Sequence, residues 1–108
     1  MNLPSEIFGD VVVVHTPDEL GGDQGPGFVA FMDQFDRKHI VVDLDGTESL
    51  TSGGLEALLD VHDKLREFSG DLKIATTNRY NRKILEMTRL DQQLDVFDSV
   101  IEAVKSFN

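Results

Sequence analysis

Two carboxylates and two hydroxyls stand close together in the stretch IVVDLDGTESLTSGGL, which runs from Ile40 to Leu55. Asp43 and Asp45 follow an apolar run that reads as a strand. At i and i+2 near a strand end they can face one crevice, where one carboxylate attacks phosphorus and the other acts as acid or base. Thr51 and Ser52 stand where a helix begins, ahead of Gly53 and Gly54. A hydroxyl there is a natural N-cap, because its oxygen can accept an orphan N–H of the first turn. The two glycines leave the backbone uncovered, so a phosphate on either hydroxyl would meet free N–H groups and the positive end of the helix dipole. Glu48 and Glu56 would repel that phosphate. One segment thus offers a phosphate-cleaving and a phosphate-accepting chemistry.

The cleaving chemistry has a resemblance behind it. DLDGT after an apolar strand is similar to the nucleophile motif of the haloacid-dehalogenase phosphohydrolases. That likeness implies Asp43 as nucleophile, Asp45 as acid/base and Mg²⁺ as cofactor, and LKIATT, ending at Thr77, mimics the family's second motif. The family also needs a Lys and an acidic pair at later strand ends. Only about thirty residues follow Thr77, which is little for another crossover and a metal site. Lys83 falls inside a helical pattern, and Asp98 with Glu102 would have to hold the metal. The plainer expectation is that Asp43 and Asp45 end a buried strand and open its turn.

A second spelling, Gly25-Pro26-Gly27-Phe28-Val29-Ala30, fits the G-x-G-x-x-A dinucleotide fingerprint. That fingerprint must join strand to helix directly. Here Thr16 to Gln24 intervenes and Pro26 removes a donor, so the segment is expected to lead into a helix instead. His15, His39 and His62 are scattered, no Ser sits in a nucleophile elbow, and Gly46 comes too early for an EF-hand. No cofactor or metal is expected.

The 108 residues suit one domain, spanning 1–108. No Cys is present, which removes disulfides, thiolate metal sites and a Cys nucleophile. The start MNLPSEIFGD lacks the basic and apolar pattern of a signal peptide, and Val11–Val14 is too short to cross a bilayer. A cytoplasmic setting is therefore expected, without membrane insertion. The net charge of −10 repels nucleic acid and favours a basic protein partner.

The elements that must position these groups follow from periodicity. Ile7-Phe8, the turn at Gly9-Asp10 and Val11–His15 suggest a hairpin. Thr16–Gly27 is rich in breakers and reads as a loop. Phe28, Phe31, Met32 and Phe35 give a first helix. His39–Leu44 is a strand buried on both faces. Leu55, Leu58, Leu59, His62, Leu65 and Phe68 form the stripe of a second helix from Ser52, closed by Ser69-Gly70-Asp71. Leu72–Ala75 is a strand, Tyr80–Leu90 a third helix, Leu94–Phe97 a short strand and Val100–Phe107 a closing helix. Alternation of this kind predicts an α/β fold with a small, mostly parallel mixed sheet of four to five strands and about four helices, mainly on one face.

With that order of elements, HIVVDLDGTESLTSGGL resembles the STAS domain, the fold of bacterial anti-sigma-factor antagonists. There an apolar strand ends in Asp and D-S-S-G-L opens a helix. LKIATTNRYNRKILEMTRLDQQLDVFDSVIEAV resembles the second half, and the similarity runs from about Val11 to Phe107. It implies a non-enzymatic regulatory module in transcription control. Such a module switches partners with an anti-sigma factor or serine-kinase-like protein, or another STAS-binding protein, under control of Ser phosphorylation at the helix start. Without gaps, Thr51 takes the family's Asp, Ser52 its first Ser and Gly53 its acceptor. The acceptor candidates are therefore Ser52 and then Thr51, or the chain is a scaffold that works without phosphorylation. The implied contact region is Thr51, Ser52, Gly53, Gly54 and Glu56, with Gly46, Thr47, Glu48 and Ser49 beside it. Asp18 and Asp23 are the candidates for a supporting Asp from the upstream loop.

Overall fold

The central strands are mostly apolar because both faces of the sheet are covered there. In the computed structural model, which describes residues 1–21 and 23–108, β2 (Val11–His15), β4 (His39–Asp43) and β6 (Asp71–Ala75) form the parallel centre of the sheet. The antiparallel hairpin strand β1 (Ser5–Phe8) lies at one edge and β7 (Asp95–Phe97) at the other, giving the order β1-β2-β4-β6-β7. Val12, Val14, Ile40, Val42, Leu72 and Ile74 point into one core. There they meet helices α1 (Gly25–Asp33), α2 (Ser52–Glu67) and α3 (Arg79–Met87). Val11, Val13, Val41 and Ala75 point the other way, onto Ala103 of α4 (Val100–Lys105). The side-chain period of two sends alternate residues of each strand to opposite cores.

Three helices on one face and one on the other match the expected layering, and the second face has its own device. Lys73, on β6, is buried there. Its ammonium donates to Ser106 Oγ (2.7 Å) and lies 4.2 Å from the centre of the Phe107 ring. The lysine stem packs as an apolar chain, and the ring and hydroxyl receive its charge.

The predicted loop at 16–27 is more ordered than its breakers suggest. Glu19–Leu20 forms a two-residue strand, β3, parallel to β5 (Ser49–Leu50), and α1 starts at Gly25 rather than Phe28. Gly22 lies outside the described residues. Leu20 is the only large apolar residue between Thr16 and Gly27, and it is fully buried. That burial pulls the loop onto the body.

Helix ends follow local chemistry. α2 closes with Ser69, not Gly70, in the left-handed region (φ 65°). Ser69 N–H donates to Arg66 O and Gly70 N–H to Leu65 O, a paired closure of the last turn. Gly70 is needed for a different reason: a Cβ there would sit 2.3 Å from Lys38 O. The predicted third helix is cut at Met87, because Arg89 turns left-handed (φ 62°) before a short 3₁₀ turn at Leu90–Gln92.

Candidate functional site

At the carboxyl end of the parallel strands, one loop carries Asp43, Asp45 and the approach to α2. The two aspartates do not share a crevice. Asp43 Oδ2 accepts from His15 Nδ1 (2.9 Å), on the β2 side, and its Oδ1 caps the N–H of Asp45 (3.0 Å). Asp45 turns to the β6 side. It accepts from Thr76 Oγ1 (3.0 Å), Thr77 N–H (2.6 Å) and Thr77 Oγ1 (2.9 Å). Burial pushes the Asp45 carboxyl up, but the N–H and hydroxyl of Thr77, the hydroxyl of Thr76 and the N–H of Asn78 together bring it below its ordinary value.

The nucleophile arrangement is therefore corrected. Each carboxylate is spent on a different neighbour, Lys83 stands on the outer side of α3, and Asp98 is taken by Arg82. Among the described residues no three metal-ligating side chains converge. Thr77, the end of the segment that mimics the second phosphohydrolase motif, meets Asp45 as a donor that ties two loops together. Gly25-Pro26-Gly27 forms the first turn of α1, and the two-residue strand before it lies outside the main sheet.

His15 is held from two sides. Its Nε2 lies 2.7 Å from Glu6 Oε1 on the neighbouring hairpin strand, and its Nδ1 faces Asp43. The Glu6 bond raises its pKa; partial burial opposes this, and Asp43 adds to the rise.

The approach to α2 is zipped to the 16–20 segment. Thr16 N–H donates to Asp43 O, Glu48 and Ser49 N–H both donate to Asp18 O, and Thr51 N–H donates to Leu20 O. Thr47 is the hidden pin of this zipper. Its hydroxyl donates to Pro17 O (2.6 Å) and meets Thr16 Oγ1. Its carbonyl accepts from Asn81 Nδ2 (2.8 Å), which also reaches Leu44 O (3.2 Å). Thr47 is 0% exposed, so its place in the expected contact region is corrected to an internal one. Gly54 is corrected likewise. It is buried, and a Cβ on it would lie 2.2 Å from Leu20 O, so the glycine lets α2 start against β3.

The other expected contact residues are on the surface. Thr51, Ser52, Glu56, Gly46, Glu48 and Ser49 are exposed, and Gly53 is half-buried. Thr51 stands at the cap position with extended backbone, yet its side chain caps nothing. Instead its hydroxyl lies over Gly21, where a Cβ would come within 2.8 Å of it. Among the described residues no acceptor takes the N–H of Ser52, Gly53 or Gly54. At the exposed Ser52 and the half-buried Gly53, the first turn of α2 therefore offers open donors at the positive end of a 16-residue helix. Acidic grooves flank it. One, of about 520 Å³ between α1 and α2, is lined by Asp33, Glu56 and Asp60 with Gly53. The other, of about 270 Å³, is lined by Glu19, Asp23, Ser49 and Thr51. Asp23 is thus beside Thr51, while Asp18 contributes through its carbonyl.

Sequence reasoning missed Thr16 and Asn81 and took Thr47 for a surface contact, although these three residues hold this end in place. An asparagine in the first turn of a short helix carried no motif; only its burial gives it meaning.

Comparison with known proteins places this geometry. The model of the STAS domain family matches residues 7–103. No curated protein matches the sequence. Among solved structures, a putative anti-sigma factor antagonist from Thermotoga maritima superposes with a TM-score of 0.86 at 23% identity, over 96% of this chain and 92% of that one. An anti-sigma factor antagonist from Mycobacterium paratuberculosis gives 0.85 at 21% identity, over 97% and 92%. The Bacillus cell fate determinant SpoIIAA in its phosphorylated form gives 0.73 at 16% identity, over 99% and 100%. At these identities the likeness is one of fold.

Proposed function

The chain belongs to the STAS domain family, and we propose that it works there as a non-enzymatic, protein-binding regulator similar to an anti-sigma-factor antagonist. Its partner is an anti-sigma factor or serine-kinase-like protein, and the contact centres on Thr51, Ser52, Gly53 and Glu56, in a cytoplasmic setting. The observation that carries this reading is the exposed first turn of α2 with unpartnered N–H groups. An interface needs donors that water now satisfies and that a partner carbonyl or carboxylate can take over. The acidic grooves on either side suit a partner whose rim is basic, which speeds encounter and fixes register.

Control by phosphorylation is part of the proposal. One solved relative is phosphorylated, and here Ser52 is the exposed hydroxyl beside the glycine that stands in the usual acceptor place. A phosphate adds about −1.5 to −2 charges. Set among Glu48 and Glu56 and pressed against a partner, it would weaken binding, each 1.4 kcal/mol being about tenfold.

The test is incubation with a candidate anti-sigma kinase and ATP, followed by intact mass, site mapping and a binding titration. Binding that weakens as one phosphoryl group appears on Ser52 supports partner switching. Binding without any modification leaves a constitutive docking module or scaffold. No binding by wild type, or equal binding by wild type and Glu56→Arg, removes the α2 start from the interface.

A further inference from the structure

α3 carries a face that the fold leaves bare. Asn81 and Leu85 point inward and are fully buried. On the opposite side Arg79, Lys83, Met87 and Tyr80 fall on one stripe at helical spacing. Tyr80 is 67% exposed and Met87 74% exposed. Arg82, on the flank, is engaged by Asp98 and Glu86, whereas Arg79 and Lys83 form no ion pair with any described residue. Both line a cavity of about 500 Å³ together with Thr77 and Asn78, and the acids that share it, Glu86 and Asp98, are paired with Arg82.

The charge of this stripe runs against the rest of the molecule. Four of the ten lysines and arginines fall between residues 79 and 89, with Glu86 the only acid there. Between residues 39 and 63 there are six acids and no lysine or arginine. The backbone at the start of α3 is not the attraction, because Asn78 Oδ1 already accepts from the N–H groups of Tyr80 and Asn81. Whatever binds here must be held by side chains: cations on one flank of the stripe and large apolar groups on the other.

We propose that this face of α3 is a second docking surface, and that it takes an acidic amphipathic segment of a partner protein. Carboxylates of the segment pair with Arg79 and Lys83, and an apolar side chain lies across Tyr80 and Met87. Charge complementarity selects an acidic ligand, and the exposed apolar pair selects one with hydrophobic anchors. Nucleic acid fits less well, because its phosphates would meet a net charge of −10. A second copy fits less well too. Its acidic stretch between residues 39 and 63 presents no exposed large apolar side chain to cover Tyr80 and Met87. The surface stands independently of the α2 site and is opposite to it in sign, so failure at α3 leaves the α2 reading untouched.

The experiment is an NMR titration of the full chain, ¹⁵N-labelled. The probe is a short synthetic peptide with glutamates on one helical face and leucines on the other. Shift changes should centre on Tyr80, Lys83 and Met87 and fade with salt. Lys83→Glu should weaken binding about tenfold, since it removes one attraction and adds one repulsion. Met87→Ala should weaken it severalfold, and both variants should keep the wild-type melting temperature because the positions are exposed. Equal binding of a glutamine-for-glutamate peptide, changes centred away from α3, tighter binding of an oligouridine RNA, or α3 shifts that grow with protein concentration alone would each overturn the proposal.

Discussion

At the start of α3, the Asn78 side chain accepts the N–H groups of Tyr80 and Asn81. At the start of α2, Thr51 holds the equivalent position with the same extended backbone and accepts none. Both helices rise from the same end of the sheet, and Asn81 joins them by reaching Thr47 O. The first helix start is closed by its own chain and carries Arg79, Arg82 and Lys83 beside the carboxylates of Asp45 and Asp98; the second is open and flanked by acids. An open start costs stability that a cap would have supplied, about 1 kcal/mol. A protein that leaves it open on the surface keeps those donors available for another molecule.

The largest expected effect tests what keeps the α2 start open. Gly54→Ala places a methyl group against the Leu20 carbonyl, 2.2 Å away before relaxation. Either β3 lifts off or α2 shifts, and overpacking of this kind costs about 3 kcal/mol. Chemical denaturation should show that loss. A loss below about 1 kcal/mol would mean that the β3 contact is soft and the α2 start is not fixed by it.

Next comes the link between the two helices. Asn81→Leu removes the donor to Leu44 O and Thr47 O; Leu44 O keeps the N–H of Thr47, and the Thr47 carbonyl is left unpaired. About 2 kcal/mol should be lost. Because Thr47 also pins the 16–20 segment, hydrogen exchange at Glu48 and Ser49 N–H should speed up as well. If exchange there is unchanged, the two starts are independent.

The caps themselves give the direct contrast. Asn78→Ala should cost about 1 kcal/mol, as loss of a working cap does. Thr51→Ala should change stability by less than about 0.5 kcal/mol, because its hydroxyl caps nothing. Urea midpoints of the two variants measured side by side decide this. A Thr51→Ala loss equal to that of Asn78→Ala would show that the α2 start is capped in solution and would undercut its role as an open site.

How much of this contrast is written in the sequence differs between the halves. The strand expected at His39–Leu44, found at His39–Asp43, and the helix from Ser52 are legible because period and breaker residues agree there. Ser52 and Glu56 are exposed, in agreement with the contact region that the STAS resemblance implied. Thr47 and Gly54 were misplaced for one reason: a two-residue strand pair and a buried asparagine are long-range contacts that leave no local period. Thr16–Gly27 looked like a loop because its breakers are real, and only the solitary Leu20 carried the fact that this segment is anchored. The apolar spacing of Tyr80, Ile84, Leu85, Met87 and Leu90 announced α3, but it did not show that Tyr80 and Met87 lie outside while Leu85 is buried.

The smallest expected effects separate the two aspartates that flank this end. His15 has its pKa raised above the ordinary 6.5, chiefly by Glu6 with help from Asp43. Its contribution to stability is therefore complete below 6.5 and is lost as pH rises through the folded value. The Asp45 pKa is lowered from 3.8 by the Thr77 and Thr76 bonds, which outweigh burial. Its contribution is present above 3.8 and is lost as pH falls through the folded value. The β2 side of the loop should loosen in base and the α3 side in acid. Both groups are partly solvated, so each effect should be about 0.5 kcal/mol or less. His15→Gln should narrow its stability gap to wild type as pH rises through the folded His15 value, and Asp45→Asn should narrow its gap on acidification below 3.8. NMR titration of the His15 ring and the Asp45 carboxyl gives the two folded values directly. A histidine pKa below 6.5, or an Asp45 value above 3.8, would mean that the loop is held by packing alone and that its charges are incidental to where the two helices begin.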